Sequence, residues 1–236
     1  MSLLVRATTP MLRLFGAMRY LPILIDLVGR PCLVVGAGAI AARKVETLLG
    51  AGARVTVVAP RIGAEVEEIA ERTTAVVVER RGYRASDLDG MAVAFAATDD
   101  PSLHDRIVCD ARAASVWLNA VDEPERCSFI MPAILDRDPL VVAVSTSGAS
   151  PAIARRVRDD IDATLGPEYA AAVTRLADLR ERFAPGRARQ QAFVRLVDDG
   201  LLEALRGGDE ARVAALIRTA CAALPERPVA QAEDVR

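Results

Sequence analysis

The fold of this chain is decided by the stretch from Cys32 to Leu48, which reads Cys-Leu-Val-Val-Gly-Ala-Gly-Ala-Ile-Ala-Ala-Arg-Lys-Val-Glu-Thr-Leu. Its first four residues are apolar and predict a short buried strand. Gly36 and Gly38 predict a tight turn, and the apolar residues that follow recur at helical spacing. The stretch is therefore a strand–turn–helix unit with the pattern G-x-G-x-x-A, in which Ala41 takes the third small position.

This pattern predicts a binding site for the pyrophosphate of a dinucleotide. Gly36 lets the chain turn, and Gly38 leaves no side chain between the backbone and a phosphate. The start of the helix offers unpaired N–H groups and a partial positive charge to that phosphate. A second apolar segment, from Arg54 to Ala59, follows at the spacing of a βαβ unit. This context favours dinucleotide binding over a glycine turn that serves only as a connection.

Length and composition limit the remaining classes of function. The chain has 236 residues, which is enough for one core or two small ones, and its net charge of −2 gives no attraction to nucleic acid or to an anionic membrane. Its four cysteines form no C-x-x-C pair, which argues against a zinc site and suits a reducing cytoplasm. No apolar run approaches the roughly 20 residues of a membrane span. We therefore expect a cytoplasmic protein without a nucleic-acid or membrane partner and without a resident metal.

The rest of the chain predicts an α/β fold in which a Rossmann-like parallel sheet is followed by a small α+β segment and a C-terminal helical subdomain. The predicted strands are 32–35, 54–59, 75–79, 91–97, 115–119, 127–131 and 140–144, and the first predicted helices after the glycine turn are 63–72, 102–114 and 152–165. Ser150 predicts an N-cap and Pro151 the first helical residue. Residues 167–224 predict two or three further helices, and residues 1–17 a disordered extension rather than a targeting segment.

Two strand ends carry features that bear on the cofactor. The second strand ends in Ala59-Pro60-Arg61, without the Asp or Glu that often holds the ribose of NAD. Backbone groups around Pro60 and Arg61 would then bind the ribose, and Arg61 leaves NADP open. The fourth strand ends at Thr98, at the carboxyl edge of the sheet where ligands bind in open α/β folds.

Asp122 is the carboxylate that the sequence singles out, because it follows the end of the fifth strand at the same edge. It could accept a proton while a hydride leaves for a nicotinamide. It could equally be a turn aspartate that bonds its own backbone, and the local sequence leaves both open. The single histidine, His104, is expected to be an exposed polar residue. The single lysine, Lys44, lies in the first turns of the dinucleotide helix, where an ammonium could meet a phosphate or a carboxylate.

The order of the motifs resembles the siroheme synthase family, in its precorrin-2 dehydrogenase and sirohydrochlorin ferrochelatase unit. The resemblance covers about residues 18–165, and the helical remainder matches in pattern only. The matching stretches are Tyr20-Leu-Pro-Ile, Val35-Gly-Ala-Gly-Ala-Ile-Ala-Ala-Arg-Lys44, Gly52-Ala-Arg-Val-Thr-Val-Val-Ala-Pro60, Ala96-Ala-Thr-Asp-Asp100, Asn119-Ala-Val-Asp-Glu-Pro124, Ser128-Phe-Ile-Met-Pro132, Pro139-Leu-Val-Val-Ala-Val-Ser145 and Gly148-Ala-Ser-Pro151 with Ala154-Arg155.

The resemblance implies an NAD-dependent oxidation of precorrin-2 to sirohydrochlorin, and in some members the insertion of ferrous iron at the same site. It places the aspartate that serves both steps at Asp122. It places the cofactor contacts at Gly36, Gly38, Ala39, Ile40, Pro60 and Arg61, to which the strand end at Thr98 is added. The substrate carries eight carboxylates, so arginines should surround the cleft, with Arg43, Arg126, Arg137, Arg155 and Arg156 as candidates. The candidate substrate contacts are Asn119, Ser145, Thr146 and Arg155.

The resemblance also implies a homodimer and a domain plan. Residues 18–127 would form the NAD-binding domain, residues 128–163 the dimerisation segment and residues 164–236 the helical subdomain. Two positions depart from the family pattern: Ser147 stands where a glycine is usual, and His104 where an asparagine is common. The substitution at Ser147 leaves the fine substrate contacts open, and the resemblance does not decide whether iron insertion accompanies the oxidation.

Two other functions remain as alternatives. The first is a non-catalytic dinucleotide sensor that uses the Rossmann unit as a ligand-gated interaction domain, and such a sensor has no need of Asp122 or of the stretch from Ser145 to Pro151. The second is a dehydrogenase of an unrelated small substrate. The absence of a His or Lys acid–base near the sheet edge and the short substrate lobes disfavour this second alternative.

Overall fold

The computed structural model describes residues 19–228, so the expected extension at residues 1–17 lies outside the described part of the chain. The chain divides between Met131 and Pro132 into two compact units. Within residues 19–228, no helix combines the length and the apolar character needed to cross a bilayer.

A five-stranded parallel sheet forms the centre of the first unit. Its strands lie in the order β3-β2-β1-β4-β5, so the chain reverses its direction of travel across the sheet between β1 and β4. Ligands of such sheets bind at this switch point, outside the carboxyl ends of the strands. The strands are β1 Pro31–Val35, β2 Arg54–Val58, β3 Val76–Glu79, β4 Val93–Ala96 and β5 Trp117–Ala120.

Both faces of the sheet are covered, which explains why the strands are almost continuously apolar. On β1, Val34 packs into one core cluster with Val45, whereas Leu33 packs into the other cluster with Ile107. This alternation is the two-residue period of a strand. The covering helices are α1 Ala39–Gly50 and α2 Ala64–Arg72 on one face and α3 Pro101–Ala113 on the other, where a short 3₁₀ turn spans Ala85–Leu88.

The second unit combines an antiparallel hairpin with a group of helices. The hairpin consists of β6 Ala133–Arg137 and β7 Leu140–Val144, and the helices are α4 Pro151–Thr164, α5 Pro167–Arg182, α6 Arg187–Asp198, α7 Leu201–Arg206 and α8 Glu210–Cys221. Leu179, Leu196 and Leu201 form part of the apolar core of α5 to α8. The buried Glu168 accepts hydrogen bonds from Arg206 at 2.7 and 3.0 Å, which ties α5 to α7.

The predicted sheet, its order of strands and helices, and the start of α4 are confirmed. Ser150 caps α4 by accepting from the N–H of Ile153 at 3.3 Å. The predicted strand at 127–131 is wrong, because Phe129 packs edge-to-face on Phe95 and the segment makes no ladder. The predicted bridge between Pro132 and Pro139 instead contains β6.

Residues 167–224 form four helices, where two or three were predicted. The predicted breaks near Gly186 and Gly207 are present, but a third break separates α6 from α7. It lies at Gly200, whose φ of +101° glycine adopts more readily than other residues. A single glycine inside an apolar helical pattern gives little warning of such a break.

Candidate active site

In the turn after β1, the first glycine lies so close to the backbone of Ala97 that it cannot carry a side chain. Gly36 has a φ of +108°, and a Cβ there would lie 2.0 Å from the carbonyl oxygen of Ala97. The turn is also packed against the loop after β2, since the N–H of Gly63 donates to the carbonyl of Ala37 at 3.0 Å. The predicted cofactor residues Gly36, Pro60 and Thr98 line one cavity, which lies outside the ends of β1 and β2.

Gly38 differs from Gly36, because a Cβ at Gly38 would meet no atom within 4 Å. Gly38 is the N-cap residue of α1, and no side chain of residues 19–228 bonds to the free N–H groups at the start of this helix. The predicted contacts Ala39 and Ile40 are exposed there. The arrangement leaves the N-terminus of α1 open to an anion, as a pyrophosphate site requires.

The N-terminus of α3 is capped by a side chain, in contrast to that of α1. The carboxylate of Asp100 accepts from the N–H groups of Ser102 and Leu103 at 2.9 and 3.2 Å. Asp100 also lines the cavity of about 350 Å³ that begins at Gly36. Asp100 was not among the predicted site residues, although an aspartate directly before a proline is a sequence signal for a helix N-cap.

Asp122 lies in the turn that follows β5, at the carboxyl edge of the sheet. It is exposed and has a φ of +62°, a conformation that aspartate and asparagine tolerate better than most residues. The thiol of Cys127 closes this turn, because it accepts from the N–H of Ala120 at 3.2 Å and donates to the carbonyl of Glu123 at 3.4 Å. The predicted catalytic carboxylate is thus held on a fixed turn and faces solvent.

His104 is buried, so the expectation of an exposed histidine is wrong. Its side chain comes from the first turn of α3, and its Nδ1 lies 3.1 Å from Oε1 of Glu123. Glu123 in turn receives the guanidinium of Arg126 at 2.8 Å. No local sequence pattern predicts this contact, because it joins a helix to the turn after β5 across 19 residues. The histidine braces the turn that carries Asp122.

Lys44, on the dinucleotide helix, is half-buried beside the ring of Phe95. Its Nζ lies 5.6 Å from the centre of the Phe95 ring, within the range of a cation–π contact. Burial lowers the pKa of Lys44, as does the neighbouring Arg43, whereas the carboxylate of Asp122 acts in the opposite direction. The Lys44 ammonium and the Asp122 carboxylate therefore attract each other.

The predicted substrate contacts lie in both units. Asn119, in the first unit, is buried and donates to the carbonyl of Phe129 at 3.1 Å. In the second unit, the hydroxyl of Ser145 accepts from the N–H of Ser147 at 3.1 Å, and Thr146 exchanges two bonds of 3.0 Å with the backbone of Ser150. These bonds shape the loop before α4.

Ser147 has a φ of +55°, which explains why a glycine suits this position. A residue with a Cβ in the left-handed region costs on the order of 1 kcal/mol relative to glycine. The loop nevertheless keeps a turn that ends at the N-cap of α4.

Ion pairs separate the candidate arginines into two groups. Arg126, Arg137 and Arg156 each pair with a carboxylate of their own unit. Arg43 and Arg155 are exposed and form no ion pair with the described residues. An anionic substrate would meet least competition at these last two side chains.

Family models match two consecutive parts of the chain. The model described as putative NAD(P)-binding matches residues 23–133, and the model of the sirohaem biosynthesis protein central segment matches residues 137–164. Among curated proteins, siroheme synthase of Ectopseudomonas mendocina is 45% identical over 166 residues, which are 70% of this chain and 34% of the relative. Siroheme synthase of Methylococcus capsulatus is 40% identical over 217 residues, which are 89% of this chain and 46% of the relative.

A solved structure has the same fold. It is named SirC, precorrin-2 dehydrogenase, and aligns with a TM-score of 0.68 over 85% of this chain and 98% of that one, at 24% identity. The chain thus spans less than half the length of the two curated siroheme synthases.

Proposed function

We propose that this chain, whose residues 23–133 and 137–164 belong to the siroheme synthase family, oxidises precorrin-2 to sirohydrochlorin with NAD as the hydride acceptor. The observation that carries the proposal is the position of Asp122. This exposed carboxylate follows the β5 end at the ligand-binding edge and interacts electrostatically with Lys44 of the dinucleotide helix. The sheet therefore offers a dinucleotide turn and a candidate base at the same edge.

Each residue of the candidate site has a separate role in the proposed oxidation. When bound, NAD supplies an electrophilic nicotinamide carbon that accepts a hydride. The open N-terminus of α1 and the bare Gly38 bind the pyrophosphate. Asp122 accepts the proton that the tetrapyrrole loses together with the hydride. In the first unit, the exposed Arg43 attracts carboxylates of the substrate.

The test is an anaerobic incubation of the full chain with precorrin-2 and NAD. We expect NADH and sirohydrochlorin to appear together, in equal amounts, in the absorbance spectrum. Ferrous iron added afterwards tests whether the same chain forms siroheme. A non-catalytic dinucleotide sensor would instead bind NAD without any change in the tetrapyrrole spectrum, and that result would refute the oxidation.

We also propose that the chain forms a homodimer through the β6–β7 hairpin and α4. The side chains of Ile134 and Val141 lie on one face of the hairpin and are 41% and 45% exposed. On α4, Ile153 and Val157 are 55% and 39% exposed. Exposed apolar residues concentrated on neighbouring elements are typical of an interaction surface.

Sedimentation equilibrium tests this proposal. We expect the wild-type chain to have twice the mass of 25.2 kDa that one chain has. Val141→Lys should shift the chain towards the monomer, because it places a charge in the proposed interface. Val194→Lys is the matched control, since Val194 is 60% exposed on α6 and lies outside this surface. A monomeric wild type would contradict the proposal.

A further inference from the structure

We propose that Asp100 binds the ribose hydroxyls of the adenosine half of the dinucleotide and thereby makes the chain prefer NAD to NADP. The inference rests on the proposed dinucleotide-binding function. It assigns to the loop after β4 a task that NAD-binding Rossmann units usually give to an acid at the end of β2.

The cavity that would hold the adenosine begins at the glycine turn. It has a volume of about 350 Å³, within the range of small-molecule sites. Its wall is formed by the ends of β1 and β2, the loop after β3 and the start of α3, and its lining residues include Gly36, Pro60, Tyr83, Asp100 and Arg106. A pyrophosphate on α1 would lie beside Gly36, so one half of the dinucleotide can enter this cavity. The other half then extends towards β5 and Asp122.

The β2 end provides no carboxylate to this cavity. The residues after Val58 are Ala59, Pro60 and Arg61. Among the described residues that line the cavity, Asp100 is the single acidic one. A ribose in the cavity therefore has Asp100 as its available carboxylate partner.

Only one of the two carboxylate oxygens of Asp100 is hydrogen-bonded to residues 19–228. Its Oδ1 accepts from the N–H of Ser102 at 2.9 Å, from the hydroxyl of Ser102 at 2.7 Å and from the N–H of Leu103 at 3.2 Å. No hydrogen bond among residues 19–228 uses its Oδ2. The bonds from Ser102 and Leu103 also lower the pKa of Asp100, so the carboxylate is charged at neutral pH. An oriented carboxylate with a free oxygen is a suitable acceptor for ribose hydroxyls.

Because Arg106 lies in the same cavity wall, the negative charge of Asp100 decides whether the cavity repels or attracts the 2′-phosphate of NADP. The guanidinium of Arg106 donates to the carbonyl of Tyr83 at 3.1 Å and lies 5.4 Å from the centre of the Tyr83 ring. The ring is buried and its hydroxyl donates to Asp110 at 3.1 Å, so this wall of the cavity is fixed. The charged carboxylate of Asp100 repels the 2′-phosphate of NADP. Without that charge, Arg106 is the charged side chain that remains in the wall, and a 2′-phosphate is attracted.

The test compares the affinities of the full chain for NAD and NADP by isothermal titration calorimetry, without a tetrapyrrole. Asp100→Asn removes the charge but keeps an oxygen that can cap α3. We expect it to weaken NAD binding by about tenfold or more, since a hydrogen bond to a charged group is lost, and to strengthen NADP binding. Asp209→Asn is the matched control, because Asp209 caps α8 by accepting from the N–H of Arg212 at 2.9 Å.

Equal NAD affinities of Asp100→Asn and the wild type, with an unchanged ratio of NAD to NADP affinity, would overturn the proposal. If the asparagine variant fails to fold, Asp100→Ser gives the same comparison, since serine also caps helices. A wild type that binds NAD but leaves precorrin-2 unoxidised would refute the proposed function and not this inference. A wild type that binds neither dinucleotide would refute both.

Discussion

Asp122→Asn is expected to lower kcat for precorrin-2 oxidation by about 10²- to 10⁴-fold, the usual contribution of a positioned acid or base. An amide cannot accept the proton that leaves with the hydride. Asparagine has nearly the shape of aspartate and also tolerates the φ of +62° at this position, so the turn should persist. The affinity for NAD should remain as in the wild type, because the proposed dinucleotide contacts lie on the glycine turn and in the cavity beside it.

Glu125→Gln is the control for this variant. Glu125 lies in the same turn, is exposed and forms no side-chain hydrogen bond with the described residues. Its neutralisation removes the same charge from the same turn and should leave kcat within a factor of about two, the effect of a surface charge change. Anaerobic single-turnover absorbance separates the chemical step from product release. Full turnover by Asp122→Asn would remove Asp122 from the mechanism.

Gly36→Ala is expected to destabilise the first unit by at least about 3 kcal/mol, a large share of the stability of a small domain. Its Cβ would lie 2.0 Å from the carbonyl oxygen and 2.7 Å from the carbonyl carbon of Ala97, and both atoms belong to the backbone. The φ of +108° adds strain of its own. Chemical denaturation followed by circular dichroism measures the loss.

Two other glycines separate the causes of this effect. Gly90 has a φ of +72° and free space around a Cβ, so Gly90→Ala should show the backbone strain alone, on the order of 1–2 kcal/mol. Gly38→Ala should leave stability nearly unchanged, because a Cβ there meets no atom within 4 Å. It should nevertheless weaken NAD binding at least tenfold, because its methyl group would occupy the approach of the pyrophosphate. Tight NAD binding by Gly38→Ala would contradict the placement of the pyrophosphate on α1.

The five strands of the Rossmann-like parallel sheet could be predicted because each depends on local signals. The apolar run before Gly36, the glycine turn and the helical spacing after it identify a βαβ unit, and right-handed crossovers leave few topologies for such units. The strand at 127–131 was predicted wrongly for the same reason. Its apolar residues suit a strand, but Phe129 is buried by an aromatic contact with Phe95, which is distant in sequence.

The sequence by itself determined the dinucleotide turn, the parallel sheet and the place of Asp122 at the end of β5, because each follows from residue types at short spacing. The tertiary structure decided which side chains meet at that edge. It buried His104 against Glu123, placed Lys44 over the Phe95 ring and placed Asp100 in the wall of a cavity to which the end of β2 contributes no acid. These contacts join residues that lie far apart in the chain, and they exist only once the helices have packed on the sheet.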